Sequence, residues 1–437
     1  MTGRRNRPIR GGGAQSFRTV PVAFMPFGLL KYGFSKTYPV RRILPPQCDL
    51  KPRYDVVIIG AGGHGLAAAY YLATRHGITD VAVLDKGYLG GGNTARNTAI
   101  IRANYLTPEG VAFYKESMEL WRGLSDDFDL NILYSTRGHF TLAHTDAALR
   151  TARWRAEVNK HLGVESELVY PDEIARLCPQ LDLSRDVRYP ILGALYHPPG
   201  ATARHDAVAW GYAEGAARHG VDIHQHTEVT GIHTENGRAI GVETTRGRIH
   251  CDKVLQAVAG ASSLVGRMAG LKLPIHTVPL QACVSVPLKP FLDPIIVSGS
   301  LHVYIWQTAR GELVMGGATD PYPLYSTRST LDFKEGLMAH ILELFPFLSE
   351  VRVNRQWAGM ADMTPDFSPV MGLTPLRGYY IDAGWGTWGF KATPVCGLRM
   401  AECVATDSQP DLLAPFRLDR FDSFSQVGEK GAASVGH

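Results

Sequence analysis

The hydrophobic pattern is clearest between residues 54 and 85. Residues 55–59 read DVVII, a short apolar run typical of a parallel strand buried on both faces. A glycine-rich turn follows, and residues 66–75 form an alanine- and leucine-rich segment that predicts a helix, with Gly77 in the position of its C-terminal cap. A second apolar run, VAVL, occupies residues 81–84 and is followed by an aspartate. The pattern therefore predicts a complete strand–helix–strand unit.

Beyond this unit, helical and strand-like segments alternate along the chain. Short β segments separated by Asn-Gly and Arg-Gly turns lie between residues 221 and 258, and alternation returns between residues 272 and 315. Apolar residues at helical spacing predict further helices at residues 107–124, 145–162, 207–218, 331–345 and 393–405.

We predict an α/β protein with two interwoven domains. The first is a Rossmann-like domain built from residues 51–135, 200–270 and 352–425. The second, a mixed β-sheet with helices, is built from residues 136–199 and 271–351.

The two ends of the chain lack a clear period. Residues 1–50 are expected to form an irregular arm, and residues 426–437 a loose tail. Translation could instead begin at Met25, in which case residues 1–24 would not belong to the native protein.

Composition narrows the class of protein. A chain of 437 residues exceeds the usual size of one domain, and 45% hydrophobic with 20% charged residues is ordinary globular composition. The net charge of +4 comes without a basic stripe interleaved with aromatic residues, so no nucleic-acid partner is predicted. The sequence has no run of eighteen apolar residues, and its six cysteines form no CxxC pair. We expect a cytoplasmic protein with reduced thiols, no membrane span and no metal.

The turn between the first strand and helix carries a dinucleotide-binding fingerprint. Residues 60–65 read GAGGHG, which fits GxGxxG, and Asp85 stands near the spacing expected of the ribose-binding acid. Gly60 allows the tight turn, Gly62 lets a pyrophosphate approach the backbone, and Gly65 permits close helix–strand packing. The helix N-terminus presents free N–H groups and a positive dipole to the phosphates, with Gly63 in its first turn.

A second polar, glycine-rich loop follows the acid almost at once. Residues 90–98 read GGGNTARNT, where an enzyme that uses a nicotinamide cofactor would usually continue into ordinary strand–helix units. A tight loop here suits the close approach of a longer cofactor and favours FAD. The candidate contacts are Gly92, Asn93, Arg96, Asn97 and Thr98.

These stretches, together with three further motifs, resemble the D-amino-acid oxidase and sarcosine oxidase superfamily of FAD-dependent amine oxidoreductases. Within it, the chain is most similar to the family of β subunits of heterotetrameric sarcosine oxidases. The matching motifs are residues 54–105, ARHD at 203–206, residues 311–317, and GWGTWGFK at 384–391. The resemblance implies that the first domain binds FAD non-covalently, that the second is the substrate domain, and that the substrate is a small secondary-amine amino acid such as sarcosine.

The resemblance also implies roles for two cationic side chains. Arg102 would bind the substrate carboxylate through its fixed, bidentate guanidinium, and Lys391 would hold the same carboxylate near the flavin. The resemblance implies that Gly384, Gly386 and Gly389 form a flavin loop, in which the backbone runs close to the isoalloxazine ring. Thr393 is expected to begin a helix whose N-terminus stabilises negative charge on the reduced flavin. Val229 completes the implied FAD contacts.

His205 carries the least obvious implication. Taken alone, it is one of sixteen histidines, and a capping or core role would be favoured. In the family, the histidine of this motif is the covalent anchor of a second flavin, FMN, at the contact with the α subunit. Because Ala207 stands where relatives often have a second histidine, His205 is the only local candidate. The implied partners are α, γ and δ subunits of a heterotetramer.

Two departures from the family keep the function open. Residues 312–317 contain no lysine, whereas single-subunit oxidases carry one on the strand over FAD, which favours electron transfer from FAD to FMN before oxygen. Trp388 stands where glycine is common, and its large indole would reshape the pocket for the amine. The alternatives are an N-methylglutamate dehydrogenase subunit and a flavin electron-transfer or assembly subunit without its own amine site.

Overall fold

The strand–helix–strand unit predicted at residues 54–85 is present in the computed structural model, which describes residues 33–34, 45 and 48–429 of the chain. Strand β1 (Arg53–Ile59) pairs in parallel with β2 (Val81–Leu84), and helix α1 (Gly63–His76) connects them. Helix α1 ends where expected, because Gly77 adopts φ 66° and donates its backbone N–H to the carbonyl of Leu72.

The strands come singly or in consecutive groups between the helices. After β2, the strands are β3 (Ile100–Ile101), β4 (Ser135–Thr136), β5 (His139–Ala143), β6 (Glu167–Val169), β7 (Gly193–His197), β8 (Ala201–Thr202), β9 (Asp222–His224), β10 (Val229–Glu235), β11 (Arg238–Thr244), β12 (Gly247–Gln256), β13 (His276–Ser285), β14 (Ile295–Ser298), β15 (Val303–Gln307), β16 (Leu313–Thr319), β17 (Val353–Met363), β18 (Val370–Leu373) and β19 (Tyr379–Ala383).

After α1, the helices are α2 (Pro108–Phe128), α3 (Asp146–His161), α4 (Pro171–Leu177), α5 (His205–Arg218), α6 (Ser262–Met268), α7 (Leu331–Leu344) and α8 (Gly389–Thr406). None of the described helices is long and apolar enough to cross a membrane.

Two large sheets organise these elements and confirm the predicted α/β class. The first has the order β10-β11-β12-β1-β2-β9, with β19 paired to β12 and β18 paired to β19. Its central pairings are parallel, as in a Rossmann-like domain. The second sheet has the order β17-β13-β16-β15-β14-β5-β7-β6, and a small third sheet has the order β3-β8-β4.

Strand β17 departs from the predicted division of the chain. It lies within residues 352–425, which were assigned to the first domain, yet it pairs along its length with β13 in the second sheet. The periodicity of a strand does not reveal its partner, because pairing is a long-range property. The remaining domain boundaries stay a prediction.

Helix α8 begins four residues earlier than predicted. The expected start at Thr393 is wrong, because the helix starts at Gly389 and Thr393 lies buried in its second turn. Pro394, a residue type often found in the first turn of a helix, lies inside α8. The N-terminus that was expected at Thr393 is therefore at Gly389.

The end of the described chain also differs from the expectation. Residues 426–429 belong to the predicted loose tail, but Val427 and Glu429 are buried. Val427 donates its N–H to Asp366, and the Glu429 carboxylate accepts backbone hydrogen bonds from the segment before α2. The described residues exclude most of the expected arm at residues 1–50, and residues 430–437. A start of translation at Met25 also falls outside them.

Candidate flavin and amine site

The turn after β1 is shaped so that only glycine fits at two positions. Gly60 has φ 111°, and a Cβ there would lie 2.2 Å from the carbonyl oxygen of Ala257. A Cβ at Gly65 would lie 2.0 Å from the carbonyl oxygen of Gly60. These contacts give the tight turn and the close helix–strand packing that the fingerprint predicts.

The N-terminus of α1 is left open by its sequence. Its N-cap residue is Gly62, which has no side chain to bind the N–H groups of the first turn. The N–H of Gly63 donates to the hydroxyl of Thr94 at 2.9 Å. Thr94 was not predicted as a site residue, although it lies within the second glycine-rich loop. The uncapped turn can receive a pyrophosphate, so the described residues fit a bound FAD.

Asp85 lies at the end of β2, where a ribose-binding acid is expected. Its two carboxylate oxygens accept the N–H groups of Ala61 and Gly87, each at 2.8 Å. Each oxygen keeps a further lone pair for a ribose hydroxyl. Val229 is buried beside β1 and β2, in one apolar cluster with Ile59 and Leu84. Both positions are compatible with the predicted contacts to the adenosine half of FAD.

The second loop is tied to the second sheet by its own polar groups. The Asn93 side chain donates to the carbonyl of Met360 at 2.6 Å and accepts its N–H at 3.0 Å. The Arg96 guanidinium donates to the carbonyl of Gly92 at 2.8 Å. Asn97 accepts the N–H of Ala99. These side chains hold the loop in place, and their direct contact with FAD stays a prediction.

Two tryptophans of the second sheet complete this attachment. Trp357 on β17 donates its indole N–H to the carbonyl of Arg96 at 2.8 Å, and Trp306 on β15 donates to the carbonyl of Thr98 at 2.9 Å. The second sheet therefore fixes the backbone that leads into β3 and on to Arg102.

Arg102 follows β3 and is only 6% exposed. Its guanidinium lies over the ring of Tyr105, 4.6 Å from the centroid, and 5.6 Å from the centroid of Trp388. One of its terminal nitrogens donates to Asn104, at 2.9 Å from the side-chain oxygen and 3.2 Å from the carbonyl. Aromatic faces and a neutral amide thus orient this cation.

Lys391 lies in the first turn of α8, beside the same indole. Its ammonium nitrogen is 5.9 Å from the centroid of Trp388 and 3.4 Å from the carbonyl of Thr387. Burial, and then the charge of Arg102, hold the pKa of Lys391 well below its usual range. Arg102 and Lys391 therefore lie beside the same indole, but Lys391 is not a fixed cation like Arg102, and their shared contact with one carboxylate stays a prediction.

The loop before α8 is strained in the way that glycine permits. Gly384 has φ 74° and Gly386 has φ 51°. The buried carboxylate of Asp362 accepts the N–H of Gly384 at 2.6 Å. Burial raises the pKa of Asp362 to about 6, against the opposing effect of that N–H. Asp362 lies at the end of β17, so the second sheet also anchors the predicted flavin loop.

His64, the fifth residue of the fingerprint, joins this loop to α1. One ring nitrogen is 2.9 Å from a carboxylate oxygen of Asp382, and the other is 2.7 Å from the carbonyl of Gly389. Both neighbours are acceptors, so both ring nitrogens must donate. Burial opposes the charged form, but the Asp382 carboxylate outweighs it, and the pKa of His64 is raised. The His64 ring therefore links the two predicted flavin-binding segments through both of its nitrogens.

His139 lies at the start of β5, 1% exposed, and neither of its ring nitrogens has a hydrogen-bond partner among the described residues. Burial, and then the charges of Arg102 and its neighbours, keep its pKa well below the usual range, so the ring is neutral. His139 could not be singled out as a site residue from the sequence, because no recognisable motif surrounds it in the chain. The same holds for Asp362, Asp382 and Glu429.

His205 is the first residue of α5 and is half-buried. Burial lowers its pKa, which leaves a neutral, nucleophilic imidazole near pH 7. The adjacent Arg204 and Asp206 form a bidentate ion pair at 2.7 and 2.9 Å. The side chain is thus accessible at a helix start that also packs against α1.

These features define a flavin-dependent enzyme. The sequence model of the DAO family, described as FAD dependent oxidoreductase, matches residues 55–403. The chain belongs to this family, and it is an FAD-dependent oxidoreductase.

Among curated proteins, it is 46% identical over 387 residues to sarcosine oxidase subunit beta of an Arthrobacter species, covering 89% of this chain and 96% of that protein. It is 49% identical over 385 residues to sarcosine oxidase subunit beta of Rhizobium meliloti, covering 88% and 92% respectively. These similarities confirm the resemblance stated from the sequence.

The solved structures agree on the fold. The L-proline dehydrogenase of P. horikoshii matches with a TM-score of 0.80 and 28% identity, over 86% of this chain and 99% of that one. The glycine oxidase of Geobacillus kaustophilus matches with a TM-score of 0.76 and 23% identity, over 85% and 99%, and supports the fold alone.

Proposed function

We propose that this chain oxidises sarcosine at its N-methyl carbon as the β subunit of a hetero-oligomeric sarcosine oxidase. The observation that carries the proposal is the buried pair of Arg102 and Lys391 around Trp388, a site for one carboxylate beside the predicted flavin loop. The support from relatives is the 46–49% identity to proteins named sarcosine oxidase subunit beta.

Bound FAD, held at the turn after β1 and the loop before α8, would supply two-electron oxidation of the N-methyl carbon to an iminium product. The residues of this chain bind and orient the amine. Arg102 gives a fixed charge to the carboxylate, and Lys391 becomes charged when the carboxylate arrives. The rings of Trp388 and Tyr105 line the site and restrict the orientation of the substrate. The neutral ring of His139 offers a buried nitrogen that can accept an N–H of the amine.

Substrate-dependent bleaching of the FAD absorbance tests the assignment. We expect sarcosine to bleach the wild-type flavin under anaerobic conditions. Arg102→Met and Lys391→Met should each lower kcat/KM by about a hundredfold or more, because each removes a charge-assisted contact to the carboxylate. Unchanged oxidation in both variants would favour an electron-transfer or assembly subunit without its own amine site, or a site elsewhere.

N-methylglutamate is the second candidate substrate, and Arg155 is the observation that favours it. The Arg155 side chain is 5% exposed and donates to the carbonyl of Asn104, which also accepts from Arg102. A second buried guanidinium suits a substrate with a second carboxylate. Bleaching by N-methylglutamate but not by sarcosine would transfer the proposal to that amine.

We also propose that His205 holds FMN covalently at a contact with an α subunit, and that electrons pass from FAD to FMN and then to oxygen. The support is the half-buried position of a neutral imidazole at the start of α5. Protein co-expressed with α, γ and δ subunits should stay yellow after acid precipitation, and His205→Ala should lose that colour. Release of all flavin from the wild type would remove the covalent anchor. A cytoplasmic location remains part of this proposal.

A further inference from the structure

The carboxylate of Glu429 is bound by the loop that follows Arg102, residues 103–107. Glu429 is 4% exposed, although it lies near the end of the chain. Its oxygens accept the N–H of Thr107 at 2.9 Å, the N–H of Leu106 at 3.1 Å, and the hydroxyl of Thr107. Thr107 is the N-cap of α2, so the carboxylate lies where the helix dipole favours negative charge.

Gly110 makes this docking possible. A Cβ at Gly110 would lie 2.1 Å from a carboxylate oxygen of Glu429, far inside the van der Waals limit. The first turn of α2 therefore accommodates Glu429 only because it lacks a side chain at this position. The first turn of α2 thus complements Glu429 in shape, and the positive end of the helix dipole complements its charge.

The same loop is held from its other side by helix α3. Arg155 donates to the carbonyl of Asn104, and the Asn159 side chain donates to the carbonyl of Tyr105 at 3.0 Å. Arg102 donates to Asn104 and lies over the ring of Tyr105. Helix α3 thus fixes the carbonyl side of residues 104–105, and Glu429 fixes the N–H side of residues 106–107.

We propose that Glu429 is a positioning residue that sets the place of Arg102 through residues 104–107 and so determines the affinity for the substrate carboxylate. The proposal rests on the role of Arg102 under the proposed function. Glu429 would act without contacting the substrate or the flavin, because its effect would be transmitted by the backbone of residues 104–107. The C-terminal segment is in this way part of the carboxylate site.

Glu429 has two effects on the affinity for a substrate carboxylate, and they act in opposite directions, so an experiment can separate them. As a negative charge near Arg155 and Tyr105, Glu429 weakens the binding of another carboxylate. As an anchor, it strengthens binding by holding Arg102 in place. Glu429→Gln removes the charge and places an amide donor against backbone N–H groups. Gly110→Ala keeps the charge but displaces the carboxylate from the helix.

The experiment measures the dissociation constant of acetate, a carboxylate without an oxidisable amine, by flavin difference spectroscopy on the FAD-loaded protein as purified. We expect Glu429→Gln and Gly110→Ala each to weaken acetate binding by about tenfold and to raise the KM of sarcosine similarly, with kcat within about twofold. Glu119→Gln, an exposed charge on the same helix, should leave both constants unchanged. Backbone amide exchange at residues 104–107 should rise in the first two variants only.

Tighter acetate binding by Glu429→Gln would show that only the charge matters and would overturn the proposal. An unchanged acetate constant in correctly FAD-loaded variants would assign Glu429 a purely structural role and overturn it as well. A double-mutant cycle guards against general destabilisation, because Gly110→Ala should add little once Glu429 is alanine. A wild type that binds acetate but is not bleached by sarcosine would remove the proposed function while leaving the positioning role intact.

Discussion

Lys391 shows how the surroundings of one side chain change the chemistry expected of it. The sequence predicts two cations for one carboxylate, yet Lys391 is buried beside Arg102 and its pKa is well below the usual range. Charging the free side chain would place two positive charges together in a poorly solvated site. An arriving carboxylate supplies the missing counter-charge, so substrate binding and protonation of Lys391 are coupled.

We therefore expect carboxylate binding to take up a proton. Between the lowered pKa of the free Lys391 and its higher pKa in the complex, affinity should fall as pH rises, because binding must also draw a proton from solution. Calorimetry of acetate binding in two buffers of different ionisation enthalpy measures this uptake. Lys391→Met should bind acetate without it, and proton-neutral binding by the wild type would mean that Lys391 is already charged.

The contact between α1 and α8 shows why the role of a single glycine is invisible in the sequence. A Cβ at Gly397 on α8 would lie 2.3 Å from the Cβ of Ala67 on α1 and 2.7 Å from its backbone. Gly336 is also a helical glycine, but it is exposed on α7 and has nothing within 4 Å of its Cβ position. Both residues count equally against a helix in propensity, and only the tertiary contact separates them.

Gly397→Ala and Gly336→Ala are therefore expected to change stability in opposite directions. At Gly397 the added methyl group forces two predicted flavin-binding helices apart, which should cost about 1–3 kcal/mol in the free energy of unfolding. At Gly336 it reduces the freedom of the unfolded chain and should stabilise by about 0.5–1 kcal/mol. Urea unfolding of both variants checks this, and equal effects would contradict the close helix contact.

Local patterns and long-range contacts differ in how far the sequence reveals them. The fingerprint from Gly60 to Asp85 could be predicted, because a strand, a turn and a helix are encoded by neighbouring residues. The pairing of β17 with β13 and the docking of Glu429 could not, since their partners are far away in the chain. Arg102 and Lys391 were predicted by resemblance, whereas His139, which has no hydrogen-bond partner within the described part of the chain, has no motif around it.

At the scale of the whole molecule, a buried ion pair fastens the C-terminal segment to the loop after β17. Arg420 donates to both carboxylate oxygens of Asp366, at 2.8 and 2.9 Å, and both side chains are about 1% exposed. Asp366 also accepts the N–H of Val427 at 3.1 Å, which leads directly to Glu429. Breaking such a pair leaves a buried charge, so Arg420→Met should cost about 3–5 kcal/mol of stability. Urea unfolding at neutral pH measures this loss, and a cost near zero would contradict the pairing.

Asp366 and Asp362 lie four residues apart and should respond to pH in opposite ways. Burial opposes ionisation of Asp366, but Arg420 outweighs it and lowers its pKa, so its contribution is present above the unfolded value of about 3.9 and is lost as pH falls through the folded one. Burial raises the pKa of Asp362 to about 6, so its contribution is present below the unfolded value and is lost as pH rises through 6.

The shift at Asp362 corresponds to a penalty of about 3 kcal/mol for holding that carboxylate ionised at neutral pH. Asparagine mimics a protonated aspartate. Relative to the wild type, Asp362→Asn should therefore be more stable between about pH 5 and about pH 8. Asp366→Asn should be strongly destabilised across that range. At lower pH, Asp366→Asn should also lack the loss of stability that the wild type shows when Asp366 is protonated. Urea unfolding across this range separates the two. Parallel pH profiles for both variants would show that Asp362 is ionised without penalty, and the flavin loop would then be held by an ordinary carboxylate.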